Sequence, residues 1–176
     1  MVDWLKHAYK MENKLVAVLN KQAEDAENFP EIKEKVTQHI EESKGHAEIV
    51  KQCLEGLGAD APDFQADLAQ VGTSLATMFD GDAEEYKVIK NAIMGFSSEN
   101  MEIAVYTTII NIAEQAGEDN IVKVCTNILE QEQEMATWLE DNLADLVVQI
   151  YDEQMETEEL NGIDGEMDDE SEDVQE

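Results

Sequence analysis

The sequence SENMEIAVY, residues 98–106, places two acids on a mostly apolar helix face. Glu99 and Glu102 are three positions apart, so on an α-helix both side chains lie on nearly the same side. Tyr106 and Ile109 follow on that side at helical spacing and should be buried. Burying a carboxylate is costly unless a cation or hydrogen-bond donors compensate it. The stretch therefore predicts a helix that carries acids into the protein interior.

The composition is that of one small, acidic, helical domain. The 176 residues contain 42 acidic side chains against 11 basic ones, giving a net charge of −31, and every base is lysine. This charge disfavours nucleic acids and anionic membranes as partners. Two prolines and long runs of Ala, Glu, Lys, Leu, Met and Gln favour helix over strand. The chain is therefore predicted to be all-α. Surface acidity alone would also fit a halophilic or salt-tolerant protein.

The sequence predicts a cytoplasmic, soluble protein. Cys53 and Cys125 fall on apolar helix faces, which favours buried thiols in a reducing compartment, although a disulfide between them stays open. The N-terminus does not resemble a signal peptide. No apolar run approaches the roughly 18 residues that span a bilayer.

The spacing of apolar residues predicts four long helices. They cover about residues 2–27, 30–57, 83–116 and 119–151. Residues 58–82 have the pattern of a crossover that contains a shorter helix, at about 63–78. Four long helices joined in this way predict a ferritin-like four-helix bundle over residues 1–152. Residues 153–176 are strongly acidic and are expected to form a disordered tail.

Acids recur at a fixed spacing on the apolar faces of the four helices. Glu12 and Glu42 are 30 positions apart, as are Glu102 and Glu132, and the two pairs are offset by 90. Two equivalent helical hairpins that meet near a twofold axis would give this repeat. Four carboxylates that meet in a core repel one another, and two divalent metal ions would remove the conflict. The pattern predicts a carboxylate-bridged di-iron or di-manganese centre.

Two further residues are predicted to bind metal beside the repeated acids. His46 lies four positions after Glu42 and can reach the same site as a neutral imidazole, and Glu99 lies one turn before Glu102. His39, three positions before Glu42, competes with His46, and we assign it to orienting a carboxylate. The predicted metal ligands are Glu12, Glu42, His46, Glu99, Glu102 and Glu132.

Two tyrosines, Tyr9 and Tyr106, share the inward face of their helices. Each could donate a hydrogen bond near the metal centre, or could pack as an ordinary amphipathic core residue. The acids have a similar alternative, because nearly a quarter of the chain is acidic and a single acid is usually a solvated helix residue. The combination of four inward acids, a repeated spacing and an adjacent histidine favours a metal site.

The same residues resemble those of a known family. The motifs are Tyr9-x-x-Glu12, His39-x-x-Glu42-Ser43 and Glu99-x-x-Glu102-Ile103-Ala104-x-Tyr106, the last followed by AEQAG at residues 113–117. Over about residues 4–145 the chain resembles the YciF-like family of ferritin-like bacterial proteins, long labelled a domain of unknown function. The resemblance implies a ferritin-like bundle, a dimer and a di-metal centre, with iron expected. The family usually has an Asp four residues after the fourth-helix Glu, whereas Ala136 follows Glu132 here, so the second metal position has fewer ligands.

Two functions from different classes are open. The first is a redox protein whose two metal ions, iron or manganese, react with dioxygen or peroxide, as in ferroxidase-like or catalase-like chemistry during stress or iron and oxidant handling. The second is a non-enzymatic acidic homodimer that serves as a salt-adapted structural or interaction protein. Iron storage in a cage would need an assembly interface that the sequence does not identify. Bound metal in the purified protein would distinguish the first function from the second.

Overall fold

The computed structural model describes residues 1–63 and 86–167. These residues form four helices, which are α1 (Val2–Asp25), α2 (Pro30–Gly56), α3 (Lys87–Ala116) and α4 (Asp119–Met167). The described ranges contain no strand, and the predicted all-α helical bundle is confirmed. The short helix predicted at about 63–78 lies, apart from its first residue, outside the described residues.

The four helices pack as two hairpins. α1 packs mainly against α2, and α3 packs mainly against α4, while contacts of α1 with α3 and of α2 with α4 join the two pairs. Pro30 is the first residue of α2, where its missing N–H costs no helical hydrogen bond. Gly117 ends α3 with a φ of 74°, a left-handed conformation that favours glycine. These two tight connections hold the two helices of each hairpin antiparallel.

The fourth helix is longer than its apolar pattern predicts. That pattern ends near Tyr151, yet α4 continues to Met167. Residues 153–160 are mostly Glu, Gln, Met and Leu, which are good helix formers even without an apolar face, whereas residues 161–165 include two glycines. Helix therefore covers residues 153–167 of the segment expected to be a disordered tail. The division of the chain into a bundle and a separate acidic tail stays a prediction.

Apolar clusters lie on either side of a polar layer at the middle of the bundle. The larger cluster joins the start of α1 to the ends of α2 and α3 and the start of α4, and it includes Leu5, Leu54, Ile109 and Ile128. Two smaller clusters lie toward the opposite end; one contains Leu19, Val36 and Ile40, and the other contains Phe29, Val88, Leu146 and Ile150. Burial of these side chains stabilises the bundle and fixes how the helices present the polar layer between them.

Both cysteines are buried free thiols in the larger apolar cluster. Burial raises the pKa of Cys53 above its usual value and raises that of Cys125 to about 12. The thiol form therefore predominates at neutral pH, which makes both residues poor nucleophiles. Among the described residues, no helix combines the length and apolar character needed to cross a membrane.

Candidate metal centre

Six ionisable side chains from all four helices converge in the polar layer. They are Glu12 of α1, His39 and His46 of α2, Glu99 and Glu102 of α3, and Glu132 of α4, and each is at most 2% exposed. Helical periodicity explains the convergence, because each of these residues lies on the apolar face of its helix. Four acids and two histidines therefore share one water-poor volume.

These side chains form two groups whose ligand atoms lie within 4.8 Å of one another. His39, Glu99, Glu102 and Glu132 make the first group, which we call group A, and Glu12, His46 and Glu132 make the second, group B. Glu132 belongs to both groups. Its Oε2 lies 3.9 Å from His39 Nε2, and its Oε1 lies 2.8 Å from His46 Nδ1. One oxygen of Glu132 thus points to each group, as in a carboxylate that bridges two ions.

Most carboxylate oxygens in the two groups have no hydrogen-bond partner. The unpartnered atoms are Glu12 Oε2, Glu99 Oε2, both oxygens of Glu102 and both oxygens of Glu132. An unsatisfied buried polar atom typically costs about 1–3 kcal/mol, so native proteins rarely leave several in one place. No lysine is among the buried residues of the described chain. The donor set of carboxylates and imidazoles therefore fits divalent metal ions.

Without a cation, the pKa values of three acids of the polar layer, Glu12, Glu99 and Glu102, are raised above their ordinary range. Burial raises the pKa of Glu99 to about 7 and also raises that of Glu12. The pKa of Glu102 is raised well above its usual value, first by burial and then by the charges of neighbouring acids. Burial would lower the pKa of His46, but Glu12 and Glu132 outweigh that effect and raise it to about 10. Metal ions would replace these protons.

The orientation of His46 is set by a residue that the sequence pattern did not identify. His46 Nε2 lies 2.6 Å from the amide oxygen Oε1 of Gln131, which can only accept, so Nε2 carries the proton. In a neutral imidazole, Nδ1 then has a lone pair. That atom lies close to Glu132 Oε1 without hydrogen-bond geometry, and 3.8 Å from Glu12 Oε1. Gln131 is exposed and follows no periodic pattern, so no sequence signal marks it.

His39 lies among the acids and Glu42 lies at the rim, whereas the sequence pattern predicts the opposite arrangement. His39 Nε2 is 3.2 Å from Glu99 Oε1. Glu42 is outside both groups and its side chain is 24% exposed. It accepts a hydrogen bond from Gln38 at 2.8 Å, and its Oε2 lies 3.4 Å from His39 Nδ1. Because these two residues are one turn apart, a small rotation of α2 determines which of them faces inward.

The two tyrosines differ in what they contact. Tyr106 is fully buried, and its hydroxyl donates a hydrogen bond to Oε1 of Glu12. Burial, followed by the negative charge of Glu12, raises the pKa of Tyr106 well above its usual value, so the hydroxyl keeps its proton. Tyr9 is half-buried and packs against the larger apolar cluster. Tyr106 therefore has the hydrogen-bonding role, and Tyr9 is a packing residue.

Comparison with known proteins relates the whole bundle to one family. A family model described as "Domain of unknown function (DUF892)" matches residues 1–152. The structure is similar to that of a protein from Xanthomonas campestris pv. campestris, with 30% identity and a TM-score of 0.75 over 88% of this chain and 94% of that one. YcfI from Rhodopseudomonas palustris shares 25% identity, with a TM-score of 0.67 over 78% and 88% of the two chains. The Escherichia coli stress protein YciF has the same fold, at 24% identity and a TM-score of 0.67 over 83% and 93%.

Proposed function

This chain belongs to the YciF-like family, described as a domain of unknown function (DUF892), and we propose that it is a di-metal protein whose substrate is dioxygen or peroxide. Iron is the expected metal, with manganese as the variant. The observation that carries the proposal is the position of Glu132, which directs one oxygen to each of two buried groups of ligand atoms. Ferroxidase-like or catalase-like chemistry would follow, in the handling of iron or oxidants under stress.

The proposed ligands divide unequally between two metal positions. His39 Nε2, Glu99 and Glu102 would hold the ion in group A, and Glu12 with His46 Nδ1 would hold the ion in group B, while Glu132 would bind both. Glu42 is then the partner that orients His39, and it does not bind metal itself. The position one turn after Glu132 is the buried Ala136, which offers no ligand. Group B should therefore bind its ion more weakly than group A.

The side chains around the proposed centre control protons and water. Bound ferrous ions would supply the electrons that reduce dioxygen or peroxide. Glu99 and Glu102 would release their protons as the metal ions bind, because their pKa values are raised in the metal-free protein. Tyr106 would hold a proton against Glu12 Oε1 and keep that carboxylate in one orientation. The apolar clusters on either side would exclude bulk water from the layer.

Metal uptake and dioxygen consumption test this proposal. Metal-free protein loaded anaerobically with ferrous iron and then mixed with air should consume dioxygen and develop a ferric absorption band. Replacing the buried Glu102 by Ala should abolish both effects, whereas Ala at the exposed Glu114 of the same helix should not. A protein that takes up no metal, and whose melting temperature does not rise with added metal, would favour the non-enzymatic acidic homodimer instead.

A further inference from the structure

A cavity of about 450 Å³ lies beside group A, where α1 ends and α2 and α3 begin. Its volume is in the range of small-molecule sites. Most of the residues that line it are apolar, among them Leu19, Phe29, Val36, Val88, Met135 and Leu139. An apolar cavity next to a polar layer is suited to a ligand with one apolar part and one polar end.

The cavity is elongated along the bundle axis. On α4 its lining runs from Met135 to Gln149, which corresponds to about 20 Å at the helical rise per residue. On α3 it runs from Val88 to Glu99, or about 16 Å. Met135 and Glu99, at the inner end, are buried, whereas Gln149 and Glu31, at the outer end, are exposed. A ligand would therefore enter at the outer end of the cavity, and a straight-chain molecule would extend from there toward the inner end.

Glu99 joins the cavity to the metal groups. Among the residues of groups A and B, it is the one that also lines the cavity. Its Oε1 faces His39 Nε2 at 3.2 Å, while its Oε2 is buried without a partner. The side chain is 1% exposed, so solvent does not satisfy that oxygen. A polar group at the inner end of a bound molecule could reach it.

The charges that line the cavity disfavour an anionic ligand. Among the described residues, its charged lining side chains are Glu31, Glu99 and Asp145, all acidic, and the ammonium of Lys35 lies outside the lining, 5.9 Å from the ring centre of Trp138. The net charge of −31 also lowers the local concentration of anions. A fatty acid carboxylate would therefore meet repulsion at the entrance, and also at Glu99 when that side chain is ionised and holds no metal ion. An uncharged oxygen, by contrast, can form a hydrogen bond with the Glu99 carboxyl in either protonation state.

We propose that this cavity binds an uncharged straight-chain molecule with an oxygen at one end, such as a long-chain alcohol, with that oxygen placed at Glu99. The bound molecule would be the organic substrate or effector of the metal centre. Its role rests on the proposed function, but its binding does not. Ligand binding and metal uptake are therefore measured separately.

Trp138 provides the signal for that experiment, because it lines the cavity and the chain has only two tryptophans. The other, Trp4, is 40% exposed and does not line the cavity, so W4F leaves a single reporter. In this background 1-dodecanol should change the Trp138 fluorescence in a saturable way, in both metal-free and manganese-loaded protein. Dodecanoate should bind the metal-free protein at least about tenfold more weakly than dodecanol does, equivalent to about 1.4 kcal/mol. Binding of dodecanoate as tight as that of dodecanol would overturn the proposal.

Substitutions that fill the inner end of the cavity test where the dodecanol molecule lies. A Cβ added at Gly95 would lie 3.3 Å from Leu139 Cδ1, so G95L should fill the cavity and weaken dodecanol binding about tenfold or more. A92F provides a second, independent obstruction at the half-buried Ala92, should G95L fail to fold. The matched control is G45L, because Gly45 is exposed and has open space around it.

Two results separate this proposal from the proposed function. Metal uptake without saturable dodecanol binding, or dodecanol binding unchanged in both G95L and A92F, would overturn the cavity assignment. Dodecanol binding that is lost in these variants, in a protein that takes up no metal, would support the cavity assignment and contradict the di-metal function.

Discussion

Nε2 of His46 lies 2.6 Å from the amide oxygen of Gln131, and this contact keeps the proton on Nε2, so that Nδ1, 2.8 Å from Glu132 Oε1, is the atom that can lose its proton and bind a metal ion. Replacing Gln131 by Ala removes the acceptor, so the imidazole can rotate or change tautomer. We expect the affinity of group B for manganese to fall about 10–100-fold, as measured by calorimetric titration of the metal-free protein. The exposed Gln133 is the control, and equal losses in Q131A and Q133A would contradict this role.

Substitutions at Glu42 distinguish an orienting residue from a metal ligand. In the structure Glu42 Oε2 lies 3.4 Å from His39 Nδ1. Glu42→Gln keeps an oxygen that can accept from His39, so its metal affinity should stay within a few-fold of the wild type. Glu42→Ala removes the acceptor and should lower the affinity about 10–100-fold. If Glu42 binds metal directly, E42Q should lose an ion as completely as E42A does.

The hydrogen bond from Tyr106 to Glu12 should stabilise the metal-free protein. Tyr106→Phe keeps the ring in the apolar cluster but leaves a buried carboxyl oxygen with one donor fewer. We expect the free energy of unfolding to fall by about 1–3 kcal/mol in urea denaturation. Tyr9→Phe is the control, since Tyr9 is half-buried and packs against the same cluster. A Y106F protein as stable as Y9F would show that the hydroxyl contributes nothing.

The metal-free protein should lose stability as the pH rises from about 5 to about 8. Burial raises the pKa of Glu99 from 4.5 to about 7, so the folded state binds this proton more strongly than the unfolded state does. That contribution is complete below the unfolded pKa and is lost as the pH passes about 7. The pKa of Glu102 is raised too, so its proton also favours the folded state at low pH. The pKa of His46, raised to about 10, adds a further loss above its unfolded value of 6.5.

Urea denaturation at several pH values, with and without manganese, measures this dependence. About 1 M salt should be present throughout, because it screens repulsion between surface acids and leaves the buried groups largely unaffected. Bound manganese should make the free energy of unfolding less dependent on pH, since the cations take the place of the protons on these acids. A metal-free protein that is more stable at pH 8 than at pH 5 would refute the proposed electrostatics.

Helical periodicity predicted the two hairpins and most of the inward acids because both depend on local spacing. Glu12, Glu99, Glu102 and Glu132 are all at most 1% exposed, as their position on the apolar faces predicts. Helical periodicity alone could not tell whether His39 or Glu42 faces the metal groups. Residues three apart differ by only about 60° around a helix, and the 30-residue repeat favoured the acid.

Other features depend on tertiary packing and left no local signal. Gln131 acts on His46 from 85 positions away along the chain. The cavity is assembled from the end of α1, the starts of α2 and α3 and the middle of α4, so no single stretch encodes it. The apolar pattern places the end of α4 too early for the opposite reason, because the good helix formers at residues 153–160 extend the helix without that pattern.

The number of metal ions bound per chain tests the central role of Glu132 most directly. Calorimetric or elemental measurement after loading with manganese or ferrous iron should give two ions per chain for the wild type. Glu132→Ala should abolish binding of the group B ion and weaken or abolish that of the group A ion, because the two groups share this carboxylate. Glu134→Ala, at an exposed position of the same helix, should still bind two. Unchanged binding of two ions by E132A would contradict the shared carboxylate, and a wild type that binds none would contradict the metal centre itself.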